Sequence, residues 1–97
     1  IDAACEMAVV EMGANHQGEI RLLSSIAQPT HGLITNVGKA HLEGFGGVAG
    51  VRKGKGELYD WLAHQHGTLF VHGTSTTLQE MRLERQFREV VHYLGEN

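Results

Sequence analysis

Disulfide scaffolding is closed to this chain, because its 97 residues include a single cysteine, Cys5, and a bridge needs two. A thiolate zinc cluster is excluded on the same ground. Positive charge is also scarce: 8 lysines and arginines stand against 11 acidic residues, a formal net charge of −3 with histidine neutral. Beyond the local cluster Arg52, Lys53 and Lys55, nothing offers the basic footprint that nucleic acid or an anionic membrane requires. No apolar run approaches the roughly 20 residues of a membrane helix, and no secretory signal is visible. A soluble cytoplasmic protein, with no membrane span and no nucleic-acid partner, is the expectation. No serine sits in a nucleophile elbow, and Cys5 precedes the first expected strand, which argues against a nucleophilic hydrolase. The chain is long enough for one small domain but shorter than a complete nucleotide-dependent enzyme. It opens on Ile1, and Ile1 to Cys5 read as the tail of an element begun earlier, so part of a longer polypeptide is expected.

Glycine, in contrast, is plentiful at 13 residues, and four of them fall where they matter most. Leu33 to Gly47 is a short apolar run (Leu33, Ile34, Val37) emptying into a loop with Gly38, Gly44, Gly46 and Gly47 that also carries His41 and Glu43. Glycines let the main chain approach a ligand closely, so a polar loop this rich in them at a strand end is a site candidate. Upstream, Met7 to Met12 is apolar except for Glu11, the pattern of a strand buried on both faces of a parallel sheet. Gly13 to Gly18 is a turn. Glu19 to Gln28 shows Ile20, Leu22, Leu23, Ile26 and Ala27 at helical spacing, and Pro29 ends that helix by restricting the residue before it. His31 to Asn36 is the second strand. Val48 to His64 reads as one helix, with Val48, Val51, Leu58, Trp61 and Leu62 toward the sheet and Gly50, Gly54 and Gly56 weakening it. Thr68 to Val71 is a third strand. Thr76 to Phe87 carries a helical stripe, Leu78, Met81 and Phe87, and Val90-Val91-His92-Tyr93 favours a last strand. The fold class is therefore α/β, a parallel sheet flanked by helices.

Glu11 and the histidines His16 and His41 stand out because each falls at or just beyond the C-terminal end of an expected strand, the edge where open α/β sheets bind ligands. Glu11 and His41 are expected close together there. His31, His64, His66, His72 and His92 lie at element ends or in polar turns and read as solvated. No His-x-x-x-His pair with a glutamate base is present. One histidine beside one carboxylate suits Mg²⁺ only if phosphates and waters complete the shell.

Three stretches carry a resemblance. Val9 to Ile20 (Val-Val-Glu-Met-Gly-Ala-Asn-His-Gln-Gly-Glu-Ile), Ile34 to Gly46 (Ile-Thr-Asn-Val-Gly-Lys-Ala-His-Leu-Glu-Gly-Phe-Gly) and Lys55-Gly56-Glu57-Leu58 together resemble the central domain of the Mur ligases, in order and spacing. The resemblance implies a P-loop NTPase-like, ATP-binding central domain, partly covered by residues 1–97, from an ATP- and Mg²⁺-dependent ligase of peptidoglycan precursor synthesis. Its nearest branch adds D-alanyl-D-alanine to UDP-N-acetylmuramoyl-tripeptide through an acyl phosphate. By the same resemblance Glu11 and His41 bind Mg²⁺, Lys55 is a metal-side carbamate, Asn36 and Gly38 contact the nucleotide, and Asn15 and His16 face the UDP-sugar substrate. The Gly-x-x-Gly-Lys-Thr/Ser phosphate loop is absent from the chain, so feeble Mg-ATP binding and an unmodified Lys55 are expected of these 97 residues alone. Gly47 stands where the family usually has a capping serine, Gly54 where it has alanine, and His72-Gly73 where it has Asn-Ala. A sibling ligase of the folylpolyglutamate or cyanophycin type, and a non-catalytic folding or interaction module, are the alternatives. The Asn15-His16-x-Gly18-Glu19-Ile20 string speaks against the sibling.

Overall fold

The computed structural model describes residues 7–14, 16–35 and 46–94. In chain order these form α1 (Glu19–Ala27), β1 (His31–Leu33), α2 (Gly47–Lys55), α3 (Glu57–His64), β2 (Thr68–His72), α4 (Thr76–Leu83) and β3 (Glu89–Tyr93). The strands make one parallel sheet in the order β1-β2-β3, with His31 opposite Thr68 and Thr68 opposite Glu89. Parallel neighbours need a crossover. Here α3 lies in the one from β1 to β2, and α4 in the one from β2 to β3.

Alternation along β2 decides which face the helices cover. Leu69 and Val71 share one face and join Tyr59 and Leu62 of α3, Leu78 and Met81 of α4, and Ile34 in a single buried cluster. Every one of these side chains is under a tenth exposed, and burying each is worth roughly 1.5 to 3 kcal/mol. Gly32 of β1 is what lets α3 lie so close: a Cβ there would come within 2.9 Å of Leu62 Cδ1. Trp61 fastens the same helix to the α1–β1 turn through a 3.1 Å hydrogen bond from its indole N–H to the Pro29 carbonyl. The opposite sheet face pairs His31 with Phe70, ring centroids 6.1 Å apart, and His72 edge-on to Tyr93 at 5.4 Å.

Four sequence expectations need correction. Met7 to Met12 does not form a strand; residues 7–14 carry no regular structure, and Val9 is 91% exposed. A doubly buried strand needs a ladder neighbour and a layer on each face, and the described residues supply neither to this run. The single helix expected over Val48 to His64 is two, α2 and α3, meeting at Gly56. A Cβ on Gly56 would stand 2.8 Å from the Arg52 carbonyl oxygen and 2.9 Å from Arg85 Nη2, so the break lies where α2 and the segment after α4 press on the backbone. The apolar stripes were also drawn too wide: Leu22, Ile26 and Val48 are exposed, and α1 buries the expected Ile20 together with Ser24. The helix expected from Thr76 to Phe87 stops at Leu83, while Phe87 packs edge-on against Tyr59 at 5.9 Å.

Candidate functional site

Of the residues singled out from sequence, Glu11, His16 and Lys55 fall within the described structure; Asn15, Asn36, Gly38 and His41 lie outside it. The expected closeness of Glu11 and His41 therefore lies outside the described residues too. What can be followed is how their neighbours meet around the N-terminal half of α1.

Gly18 is the N-cap of α1 with φ +92°, a left-handed conformation suited to glycine. It has no side chain with which to cap. The vacancy is filled from α3: Glu57 Oε2 accepts from the Gly18 N–H at 2.7 Å, and Oε1 from the Arg21 N–H at 3.0 Å. Glu19 faces the other way, its Oε1 accepting from the His16 backbone N–H at 2.6 Å with the His16 ring Nδ1 3.6 Å away. The His16–Gly18 turn is thus gripped by one carboxylate from its own helix and one from the helix that follows Lys55.

Two further contacts bring the other resemblance stretches to this place. Ser24, fully buried in α1, donates its hydroxyl to Met12 Sδ at 3.8 Å, which anchors the residue beside Glu11. At the end of the glycine-rich loop, a Cβ on Gly46 would come 3.7 Å from Gln17 Nε2. Gly46 and Gly47 both have left-handed backbones, φ +87° and +88°. The glycine at position 47, where the resemblance leads one to expect serine, suits that conformation. Met12, Gln17, Gly46 and Glu57, drawn from all three stretches or their borders, converge on α1.

A hard cation prefers oxygen donors. Glu11 fits such a role, offering an exposed carboxylate. Lys55 is half-buried in the last turn of α2, together with Arg52 and Lys53, where positive charge complements the negative end of the helix dipole. As an ammonium it has no lone pair to give, so it fits a metal shell only as a carbamate. Among the described residues no three His, Cys, Asp or Glu side chains cluster as a ready-made metal site, and no helix is long and apolar enough to cross a membrane.

A groove of about 760 Å³ opens elsewhere, at the N-terminal ends of the strands, lined among others by Pro29, His31, Trp61, His66 and Arg88. Ligands of open α/β sheets bind at the opposite, C-terminal edge, and no residue singled out from sequence as a candidate site lines this groove. The residue that sequence reasoning missed is Glu57, which carried no role of its own there. Two signals were available: a glycine N-cap that cannot cap itself, and a glutamate inside the Lys55-Gly56-Glu57-Leu58 stretch.

A parallel sheet with crossover helices on one face, and glycine-rich turns from distant stretches gathered near one helix N-terminus, defines an α/β domain. The family model of the Mur ligase middle domain matches residues 1–97, and the chain belongs to that family. Among curated relatives, the UDP-N-acetylmuramoyl-tripeptide--D-alanyl-D-alanine ligase of Escherichia coli (strain K12) is 53% identical over 57 residues, 59% of this chain and 13% of that protein. The enzyme of the same name from Haemophilus influenzae is 38% identical over 90 residues, 93% of this chain and 20% of the relative. That from Bacillus subtilis (strain 168) is 39% identical over 74 residues, 76% of this chain and 16% of the relative. The matched region thus spans no more than 20% of the length of these relatives. No solved structure matches the chain significantly.

Proposed function

We propose that the protein carrying this chain is an ATP-dependent ligase that joins D-alanyl-D-alanine to UDP-N-acetylmuramoyl-tripeptide in peptidoglycan precursor synthesis. The observation that carries this reading is that the relatives from Escherichia coli, Haemophilus influenzae and Bacillus subtilis, matched over 59% to 93% of this chain, all bear that one name. Mg-ATP, when bound, supplies the phosphoryl group that makes the tripeptide carboxylate an acyl phosphate. The dipeptide amine then forms the amide bond as phosphate leaves. In this reading Glu11 and His41 hold Mg²⁺, and Lys55, as a carbamate, adds an anionic oxygen where a bare ammonium would repel the cation. Asn36 and Gly38 lie against the nucleotide, and Asn15 and His16 against the UDP-linked substrate. The protein's share of the work is positioning and electrostatics, the main levers in phosphoryl transfer.

Phosphate release by the full-length protein, with each acceptor supplied in turn, tests the proposal. Release that requires both UDP-N-acetylmuramoyl-tripeptide and D-alanyl-D-alanine is the expected result. Release with glutamate or another single amino acid in place of the dipeptide would assign a sibling ligase, and no release with any acceptor would leave a non-catalytic module.

A further inference from the structure

We infer that Glu57 is a positioning residue that ties the His16–Gly18 turn to the end of the Lys55 helix, so that the substrate-facing and metal-facing sides of the site move as one piece. The inference rests on the ligase reading for what the two sides bind, and on geometry alone for the tie.

The start of a helix leaves backbone N–H groups without intrahelical partners, and the usual remedy is a serine, threonine or aspartate at the N-cap accepting from the third helical residue. Gly18 offers no such group. Glu57 substitutes for it across 36 to 39 residues of sequence, one carboxylate oxygen on the N-cap N–H and the other on Arg21, the third residue of α1. Both bonds are charge-assisted, and the carboxylate lies at the positive end of the α1 dipole. An incidental surface contact would not meet both N–H groups with separate oxygens.

The other end of the tie is equally fixed. Glu57 is the first residue of α3, directly after Gly56, whose N–H donates to the Arg52 carbonyl at 2.9 Å, and two residues after Lys55. Movement at the end of α2 is therefore passed to the turn that holds His16, and movement of the turn is passed back. On the ligase reading, His16 faces the UDP-linked substrate and Lys55 the metal. Breaking the tie should loosen the first of these selectively, since Lys55 remains on its own helix.

The experiment uses the full-length protein with Glu57→Gln and Glu57→Asp. Gln keeps the length but presents one acceptor oxygen and an NH₂ group that cannot accept, whereas Asp keeps both oxygens on a shorter arm. Glu57→Gln is expected to raise KM for UDP-N-acetylmuramoyl-tripeptide about tenfold, the scale of one charge-assisted hydrogen bond, with KM for ATP within about twofold of wild type. Glu57→Asp should recover most of the loss. In the same variants, hydrogen exchange at the Gly18 and Arg21 amides should quicken with Gln and return toward wild type with Asp. An unchanged KM for the UDP-linked substrate, or KM values that all rise together as Tm falls, would overturn the positioning role and leave a helix cap. Unchanged exchange at both amides would overturn the tie itself. If wild type releases no phosphate with D-alanyl-D-alanine, the ligase reading falls and takes the substrate half of the inference with it, while exchange still decides the tie.

Discussion

Tyr59 of α3 is fully buried against Phe87, and its hydroxyl finds no hydrogen-bond partner among the described residues. Burial, and secondarily the nearby Tyr93 phenol, push its pKa up to about 12 from 10.0, with Arg85 pulling weakly the other way. Below about pH 10 folded and unfolded chains both keep the phenolic proton. Between about pH 10 and 12 the unfolded chain loses it first, so stability falls as pH rises through that window, by on the order of 2 kcal/mol in all. Tyr59→Phe should abolish most of this alkaline loss in urea titrations run at pH 8 and pH 11. At neutral pH it should be neutral or stabilising, because an unpartnered buried hydroxyl costs about 1 to 3 kcal/mol. Lys55 calls for a different measurement. In the full-length protein Lys55→Ala should be nearly inactive and partly rescued by acetate, whose carboxylate can occupy the place of a carbamate. Turnover like that of wild type without added carboxylate would refute the assignment.

At the scale of elements, the clearest test is the joint between α2 and α3. Gly56→Ala forces a methyl group to within 2.8 Å of the Arg52 carbonyl oxygen, and backbone cannot retreat as a flexible side chain can. A loss of about 1 to 3 kcal/mol is expected from denaturant midpoints. The N-cap of α4 is ordinary by comparison. Ser75 accepts from the Leu78 N–H at 3.3 Å, and Ser75→Ala should cost about 1 kcal/mol in the same measurement. These two helix boundaries show what sequence could and could not reveal. The start of α4 at Thr76 was legible because the stripe of Leu78 and Met81 is local information. So were the end of α1 before Pro29 and strands β2 and β3, each marked by punctuation or a β-branched run. The break at Gly56 was not legible as a break. Gly50, Gly54 and Gly56 read alike along the chain, and the approach of Arg85 to Gly56 comes from 29 positions away. Glu57 went unnoticed for the same reason, since its partners lie 36 and 39 residues upstream.

For the molecule as a whole, the parallel sheet and its crossover helices follow from the alternation of β and α patterns, which the sequence pattern anticipated; the strand order and the single helix-covered face come from the structure. The first apolar run is where pattern and structure part. Met7 and Val9 are 82% and 91% exposed, and Val10 is 53% exposed, so the run that reads as the most buried in the chain is among its most open. Periodicity registers a residue's preference for burial but not whether a covering layer is at hand. Such an apolar stretch should drive self-association of these 97 residues in isolation. Val9→Lys is expected to lower their light scattering at high concentration while changing unfolding free energy by no more than about 0.5 kcal/mol, as for other surface substitutions. Scattering that persists unchanged would place the association elsewhere.

The bond between Trp61 and the Pro29 carbonyl joins the one tryptophan of the chain to its one proline, on the wall of the groove at the strand starts. The chain is thereby fitted with an intrinsic optical reporter. Its indole emission belongs to a single, half-buried chromophore whose polar edge is held by one carbonyl, so the colour and intensity of that emission read the local dielectric and the integrity of the α1–β1 corner without any attached dye.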